Sequence, residues 1–152
     1  MRAIHTKDFV FVRNFAPDRW PMGTPNAVTE TTEPSASELE TNTRAAFPDM
    51  DASPTKAWLI AHRNEGQGKP FYDRAFAKRA GEELYDLRSD PGQTTNVAAE
   101  ASFLVEKNEM SQRLMKVLTD TRDPRVTGDG GKFDRTPFTD PEAAAPRRLP
   151  AK

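Results

Sequence analysis

The fold is decided by the stretch Phe9-Val10-Phe11-Val12-Arg13-Asn14-Phe15. It is the most strand-like run in the chain, because it is rich in aromatic and β-branched residues. Successive side chains of a strand point to opposite faces, so the phenylalanines share one face with Arg13, and Val10 and Val12 take the other. Both faces are largely apolar, and we therefore expect a strand that is covered on both sides.

The segments on either side of this stretch predict a hairpin and a loop. Residues 2–6 are short and partly alternating, and Lys7-Asp8 has the character of a turn, so an antiparallel partner strand is expected there. Residues 16–52 contain five prolines and no sustained period, which predicts a long extended loop. A structureless loop of this length is typical of a functional lid, a segment draped over a larger body, or disorder.

Three helices and a strand are expected further along. Ser53-Pro54 predicts the start of a helix that runs to Asn64, with serine as the N-cap and proline at the first helical position. A second short helix is expected over residues 69–79, and a strand over residues 83–87. The longest helix is expected over residues 99–121, where the apolar residues share one side.

Together these elements predict an α+β fold, in which a small antiparallel sheet of about four strands packs with a long C-terminal helix. The domain is expected to span residues 1–121, with the long loop at residues 16–52. The tail, residues 122–152, contains five prolines and three glycines. We expect it to be irregular, and disordered after residue 138.

The composition indicates a thin core. Leucine, isoleucine, valine and phenylalanine total 26 of 152 residues, about 17%, which is below the roughly 20% at which chains begin to look disordered. However, the net charge is only -1, whereas disorder usually comes with a high net charge. We therefore expect a partly ordered chain that relies on a partner.

Charge and hydropathy exclude several classes of partner. The sequence shows no basic excess or stripe, which argues against nucleic acid. No stretch approaches 18 apolar residues, so we expect no membrane span. The first eight residues lack the apolar run of a signal peptide, so no export signal is expected in this chain, and the compartment stays open.

The chain offers few residues for catalysis. It has no cysteine, which removes thiol nucleophiles, disulfides and thiolate metal sites. Acidic pairs occur at Glu82-Glu83, Asp49 with Asp51, and Asp86 with Asp90, but they lie in charged or turn segments where acid-base catalysis is not expected. His62 is interpreted as structural, and Gly128-Asp129-Gly130-Gly131 as a flexible turn, because it lacks the strand, lysine and hydroxyl of a phosphate loop.

One motif resembles a known family. Glu83-Leu84-Tyr85-Asp86-Leu87 is followed by Arg88-Ser89-Asp90-Pro91-Gly92-Gln93-Thr94-Thr95-Asn96-Val97-Ala98. The order Glu-Leu-Tyr-Asp-Leu, Asp-Pro and Asn-Val-Ala is similar to the C-terminal domain of type I sulfatases, where it precedes the last helix. The stretch Arg2-Ala3-Ile4-His5-Thr6-Lys7-Asp8-Phe9 resembles the beginning of the same domain.

Two further stretches narrow the resemblance. Arg13-Asn14-Phe15-Ala16-Pro17-Asp18-Arg19-Trp20-Pro21 and Thr121-Arg122-Asp123-Pro124-Arg125-Val126 resemble bacterial relatives of N-sulfoglucosamine sulfohydrolase, the heparan N-sulfatase. The resemblance covers about residues 2–138, in the family's order. It implies the C-terminal domain of an alkaline-phosphatase-like enzyme, with a four-stranded antiparallel sheet and a packed helix.

The resemblance also implies what lies outside this chain. The family's catalytic domain holds a formylglycine, made from the Cys or Ser of Cys/Ser-x-Pro-x-Arg, and a calcium ion. Here Ser89-Asp90-Pro91 is followed by Gly92-Gln93 and lies inside the C-terminal motif, so it is not that site. No catalytic residue and no metal ligand is therefore assigned to this chain, and calcium and formylglycine are expected only in the complete enzyme.

Two hypotheses follow. The first is a C-terminal sulfatase fragment that acts on sulfate esters or N-sulfates of sulfated sugars and is inactive without the upstream catalytic domain, in a periplasmic or extracellular enzyme. Met1 falls where the family's sequence continues from that domain, which suggests a truncated frame, a fragment or a split gene. The second is a stand-alone sugar-binding or protein-interaction module. His5, at an arginine-like position of the family, is the one candidate substrate-binding residue.

Overall fold

The computed structural model describes residues 1–131 and has an α+β architecture. The strands and helices are β1 Arg2–His5, β2 Phe9–Arg13, α1 Ala36–Thr41, α2 Pro54–Ala61, α3 Lys69–Phe76, β3 Glu82–Asp86, α4 Leu104–Asp120 and α5 Pro124–Thr127. One-turn 3₁₀ helices lie at Thr43–Ala45 and Ala101–Phe103. The predicted fold class is confirmed, and the prediction of disorder after residue 138 lies outside the described residues. Within residues 1–131, no helix has the length and apolar character needed to cross a membrane.

The sheet is an antiparallel meander in the order β1-β2-β3. The predicted hairpin forms, and its turn is closed by the N–H of Thr6, which donates to the carbonyl of Phe9 at 2.9 Å. Ile4, Phe11 and Leu84 are paired across the three strands, so they share one face. Phe11 and Leu84 on that face are fully buried.

The sheet has three strands in the described part of the chain, so the prediction of about four is not met there. The outer edge of β3 is instead covered by Asn96 and Val97. The N–H of Leu84 donates to Oδ1 of Asn96 at 2.9 Å, and the N–H of Val97 donates to the carbonyl of Leu84 at the same distance. Together with a bond from the Asn96 side chain to the carbonyl of Glu82, these residues give β3 one main-chain bond and two side-chain bonds, which is too little for a strand.

The long helix α4 covers one face of the sheet. Met110, Leu114 and Leu118 are buried in a single cluster with Phe11 and Leu84. They follow one another at intervals of four residues, so they lie on one side of the helix. The predicted helix over residues 99–121 is confirmed in its main part, although its first turn is the 3₁₀ helix Ala101–Phe103.

The opposite face of the sheet is only partly covered. Val10 is buried, Val12 is half-buried, and Ala3 and His5 on the same face are exposed. The expectation that β2 is covered on both sides is therefore met at Val10 and only in part at Val12.

A second core lies apart from the sheet and is built by α1, α2, α3 and the segment before them. Its buried members include Leu39, Phe47, Ile60 and Phe76. Phe47 stacks on Phe76 with ring centroids 4.3 Å apart. The segment 16–52 is therefore not a structureless loop, because it forms α1 and a 3₁₀ turn and contributes the centre of this core.

The ends of α2 and α3 show how local signals act. Ser53 caps α2 as predicted, since its Oγ accepts a 3.2 Å hydrogen bond from the N–H of Lys56, and Pro54 occupies the first turn. Both helices end three residues earlier than predicted, at Ala61 and Phe76. These positions are followed by turn and extended backbone, which sequence periodicity does not detect.

The beginning of the predicted irregular tail is ordered as α5. Asp123 is its N-cap and accepts a 2.8 Å hydrogen bond from the N–H of Arg125. Asp123 also accepts a 2.6 Å ion-paired hydrogen bond from Nε of Arg2. The expectation of irregular structure from residue 122 is thus wrong for Pro124–Thr127, because this turn has a cap and an anchor on β1.

Candidate functional site

The motif at residues 83–98 forms one interlocked structural unit. Asp86 binds Arg88 through both carboxylate oxygens, at 2.7 and 2.8 Å. The Arg88 guanidinium holds the pKa of Asp86 below its usual range. Asp90 accepts hydrogen bonds from the N–H groups of Thr95 and Thr94, and the Thr95 bond in particular lowers its pKa. Asp86, Arg88 and Asp90 therefore stabilise the turn in which they lie.

The acidic pairs of the sequence do not come together as catalytic pairs. Glu82 lies on the α4 side of the sheet with Arg13 as its ion-pair partner, whereas Glu83 points to the other face and binds the hydroxyl of Tyr85 at 3.0 Å. Asp86 and Asp90 are each engaged within the motif turn. These carboxylates are therefore engaged in contacts that stabilise the fold.

A first cleft joins the two stretches that narrow the family resemblance. We call it the junction cleft, and its volume is about 170 Å³. It is lined by Met1, Asn14, Phe15, Ala16, Arg19, Trp20, Pro21, Asp49, Arg79 and Arg125. Residues of 13–21 and of 121–126 thus meet across about one hundred residues of sequence. Three of the lining side chains are arginines, so the cleft is predominantly cationic.

Local hydrogen bonds hold the wall of the junction cleft. The side chain of Asn14 accepts a 3.1 Å hydrogen bond from the N–H of Ala16 and donates a 3.3 Å bond to the carbonyl of Arg79. The N–H of Asn14 donates to the carbonyl of Gly81 at 2.9 Å. Asn14 therefore fixes the end of β2 to the segment that carries Arg79.

A second cleft, the sheet cleft, opens on the partly covered face of the sheet. Val12, Glu83 and Tyr85 form its floor, and Arg74, Arg79, Gln93 and Thr94 are among its other lining residues. Its volume is about 480 Å³. Burial, together with the hydrogen bond to Glu83, raises the pKa of Tyr85 to about 12. The phenol is therefore a neutral hydrogen-bonding group at physiological pH.

A third cleft, the aromatic groove, lies between α2 and α3. It is lined by Thr55, Trp58, Leu59, Phe71, Arg74 and Ala75 and has a volume of about 520 Å³. Arg74 lines both the aromatic groove and the sheet cleft, while Arg79 lines both the sheet cleft and the junction cleft. The three clefts are thus neighbours that share arginines in their linings, and we call them together the band.

The structure places His5 on the same sheet face as the sheet cleft. The register sets His5, Val10 and Tyr85 in one line across the three strands, which corresponds to about 10 Å between His5 and Tyr85. His5 is exposed, and it does not belong to the linings given above. The role of His5 in substrate binding therefore stays a prediction, and the sequence analysis did not identify the arginines that line the sheet cleft.

The other singled-out residues have structural roles. The ring of His62 stacks on Trp58 at 4.4 Å, and its Nδ1 is 2.8 Å from the carbonyl of Trp58. Gly130 is buried against α5, since a Cβ at this position would lie 2.7 Å from Cα of Arg125. Gly130 therefore serves close packing.

The described residues do not fit the family's metal and cofactor. Within residues 1–131, no group of three or more histidine, cysteine, aspartate or glutamate side chains is placed to hold a metal ion. Ser89 lies in the motif turn, where its hydroxyl donates to the carbonyl of Asp86 at 3.4 Å, and no cysteine exists in the sequence. No chemical step is therefore assigned to calcium or formylglycine on this chain.

Comparisons with protein-family models, curated proteins and solved structures give no match for this chain. The candidate site consequently depends on its own geometry. Its arginines were missed because positions 19, 74, 79 and 125 are far apart and do not form a basic run. Only the folded chain brings them to one side, so no local signal could have identified the band.

Proposed function

We propose that this chain is the C-terminal domain of a type I sulfatase that acts on sulfated sugars. In this proposal it is inactive alone, since the nucleophile and the calcium site belong to a separate catalytic domain. The observation that carries the proposal is the convergence of the stretches quoted for the resemblance. Arg2 of the first stretch pairs with Asp123 of the last, and Arg19 and Arg125 line one cleft.

This convergence supports a shared role for the stretches. Phe15 and Val126 also pack against the same core as Leu84 of the central motif. Residues that resemble one family and are distant in sequence thus lie in one region of the fold.

The catalytic domain is the proposed partner, and the partly covered sheet face is the proposed place of contact. Ala3 and His5 are exposed there beside the half-buried Val12. An apolar, unfilled face next to arginines suits a partner that brings an anionic substrate. His5 is the residue of β1 proposed to reach that substrate.

The first experiment measures hydrolysis by the isolated chain. Purified protein is incubated with calcium and either a chromogenic aryl sulfate or an N-sulfated glucosamine, beside a buffer blank and an active sulfatase as the positive control. We expect a rate equal to the blank. Turnover above the blank that follows the protein through a second purification step would overturn the proposal.

A second experiment tests the partner. The reading frame upstream of this chain is examined for Cys/Ser-x-Pro-x-Arg, and its product is co-expressed with this chain. We expect a complex that copurifies and hydrolyses the sulfated substrate, with His5→Ala raising KM. A frame without the motif, or a product that does not bind, would contradict the proposal.

The alternative function is a stand-alone sugar-binding or protein-interaction module derived from a sulfatase. The band favours it, because such a surface needs no catalytic residue to bind an anion. Binding of a sulfated oligosaccharide by the isolated chain, together with the absence of any catalytic partner, would support this alternative over the first.

A further inference from the structure

The aromatic groove presents two exposed rings on adjacent helices. Trp58 is 45% exposed and Phe71 is 54% exposed, although large aromatic side chains usually bury most of their surface. The indole is held in place on one side, since the His62 ring lies against it at 4.4 Å with planes 17° apart. A held indole with a free face is suited to stacking on the flat apolar face of a pyranose ring.

Arg74 lies beside these rings and at the border of the sheet cleft. Its guanidinium is 5.9 Å from the centre of the Phe71 ring, and its side chain is exposed. Arg79, which also lines the sheet cleft, donates a hydrogen bond to the carbonyl of Arg74. This bond fixes the Arg79 guanidinium to the main chain of Arg74, and both residues line the sheet cleft.

Neither Arg74 nor Arg79 forms an ion pair with a carboxylate of residues 1–131. Two carboxylates lie near this cleft: Glu83 belongs to its lining, and Asp90 interacts electrostatically with Arg74. Glu83 accepts from the hydroxyl of Tyr85 at 3.0 Å, and Asp90 accepts from the N–H groups of Thr94 and Thr95 at 2.7 and 2.8 Å. The two guanidinium groups thus keep donors for an external anion.

We propose that the aromatic groove and the sheet cleft form one binding site for an anionic oligosaccharide. One sugar ring stacks on Trp58 and Phe71, and the anionic groups of this and the next residue bind Arg74 and Arg79. Arginine suits this task because its planar fork pairs with sulfate or carboxylate oxygens in a bidentate manner. The choice of sulfate as the anionic group depends on the proposed function, whereas the site itself does not.

An acidic peptide or a single-stranded nucleic acid would also meet arginines and aromatic rings. The saccharide is favoured because the groove is open and shallow, with small side chains such as Thr55 and Ala75 between the rings. A stacked base would in addition need a basic groove that follows the phosphates, and the sequence has no basic excess and no basic run.

The test is isothermal titration of the full chain at fixed salt with four probes. They are a sulfated heparin-derived oligosaccharide, the same oligosaccharide after desulfation, inorganic sulfate, and a single-stranded oligonucleotide. We expect the sulfated oligosaccharide to bind more tightly than the other three. Arg74→Ala is expected to weaken its binding about tenfold, and Trp58→Ala by a similar factor.

Arg113→Ala is the matched control, since Arg113 is an exposed arginine of α4 outside the three clefts. Thermal unfolding of each variant separates lost binding from lost structure, and Trp58→Phe retains a ring if Trp58→Ala unfolds. Equal affinity of wild type, Arg74→Ala and Trp58→Ala in folded protein, or no binding of the sulfated oligosaccharide, would overturn the site. Tighter binding of the oligonucleotide would overturn the saccharide assignment.

The outcome is independent of the test of the proposed function. If the upstream frame encodes no sulfatase and Arg74→Ala still weakens binding, the site stands and the sulfatase proposal fails. If a sulfatase complex forms and Arg74→Ala leaves binding unchanged, the sulfatase proposal stands and the site fails.

Discussion

Oδ1 of Asn96 accepts a 2.9 Å hydrogen bond from the main-chain N–H of Leu84, the central residue of β3. The same oxygen accepts a 3.0 Å bond from the N–H of Ala98, and Nδ2 donates to the carbonyl of Glu82 at 3.3 Å. One amide side chain thus satisfies three main-chain groups at the outer edge of the sheet. This arrangement explains why an asparagine suits position 96 of the motif, since an amide both donates and accepts.

Replacement of Asn96 by alanine is expected to destabilise the fold by about 1–3 kcal/mol, because the N–H of the buried Leu84 loses its acceptor. Urea denaturation followed by circular dichroism measures the change. Asn108→Ala is the control, since Asn108 is exposed on α4 and alanine favours a helix. Equal stability of Asn96→Ala and wild type would contradict the assigned role.

Lys56 stabilises the helical core in a different way. Its side chain is fully buried, and its Nζ donates hydrogen bonds to the carbonyls of Thr43, Phe47 and Met50 at 3.0, 3.3 and 2.8 Å. Burial lowers the pKa of Lys56, while the nearby Asp51 opposes this effect. The Lys56 ammonium group thus holds together the main chain of residues 43–50. Within this segment, Phe47 has a positive φ of 43°.

Lys56→Met keeps the length of the side chain and leaves three carbonyls without their donor. We expect a loss of about 3 kcal/mol or more, because buried acceptors without partners are costly. Lys116→Met is the control, since Lys116 forms an exposed pair with Asp120 and such pairs contribute little. A melting temperature within one or two degrees of wild type for Lys56→Met would contradict the prediction.

The sequence predicted the elements whose signals are local. The β2 strand follows from its run of aromatic and β-branched residues, and α2 follows from Ser53 and Pro54. The spacing of Met110, Leu114 and Leu118 identified α4. Each of these signals lies within the element itself, which is why it could be interpreted without the fold.

The features that the sequence missed depend on distant contacts. Asn96 binds the outer edge of β3, where the sequence predicts a fourth strand. Phe47 lies in the second core, although the sequence predicts its segment as a loop. Arg74 and Arg79 are shared by neighbouring clefts only because α3 ends beside β3. Such relationships are set by tertiary packing, which overrides local propensity.

Acid is expected to weaken the tie between β1 and α5. The Arg2 guanidinium, the largest influence, lowers the pKa of Asp123 from its ordinary value. A carboxyl whose folded-state pKa is lowered contributes stability above its unfolded-state pKa of about 3.9, and this contribution is lost as the pH falls through the folded-state value. The free energy of unfolding should therefore decrease below about pH 4.

Asp123→Asn isolates this effect, since the amide keeps an acceptor but removes the charge. We expect the variant to be less stable than wild type at pH 7, with the difference decreasing toward pH 3. Asp18→Asn serves as the control, because Asp18 is exposed. An equal difference between Asp123→Asn and wild type at both pH values would refute the assignment.

Alkaline titration tests the environment of Tyr85. Burial is the first cause of its raised pKa of about 12, and the hydrogen bond to Glu83 is the second. The chain has two tyrosines, and burial also raises the pKa of Tyr72. In Tyr72→Phe, the ultraviolet absorbance of phenolate therefore reports on Tyr85 alone, and we expect it to appear near pH 12 while circular dichroism shows a folded chain.

The same shift affects stability with a definite sign. A group whose folded-state pKa is raised retains its proton longer in the folded chain, so stability is fully present below about pH 10 and decreases as the pH rises toward 12. Glu83→Gln removes the adjacent charge and should bring the phenolate signal to lower pH, whereas Glu109→Gln on exposed α4 should not. A midpoint near pH 10 in the folded Tyr72→Phe protein would show that Tyr85 is neither buried nor bonded to Glu83.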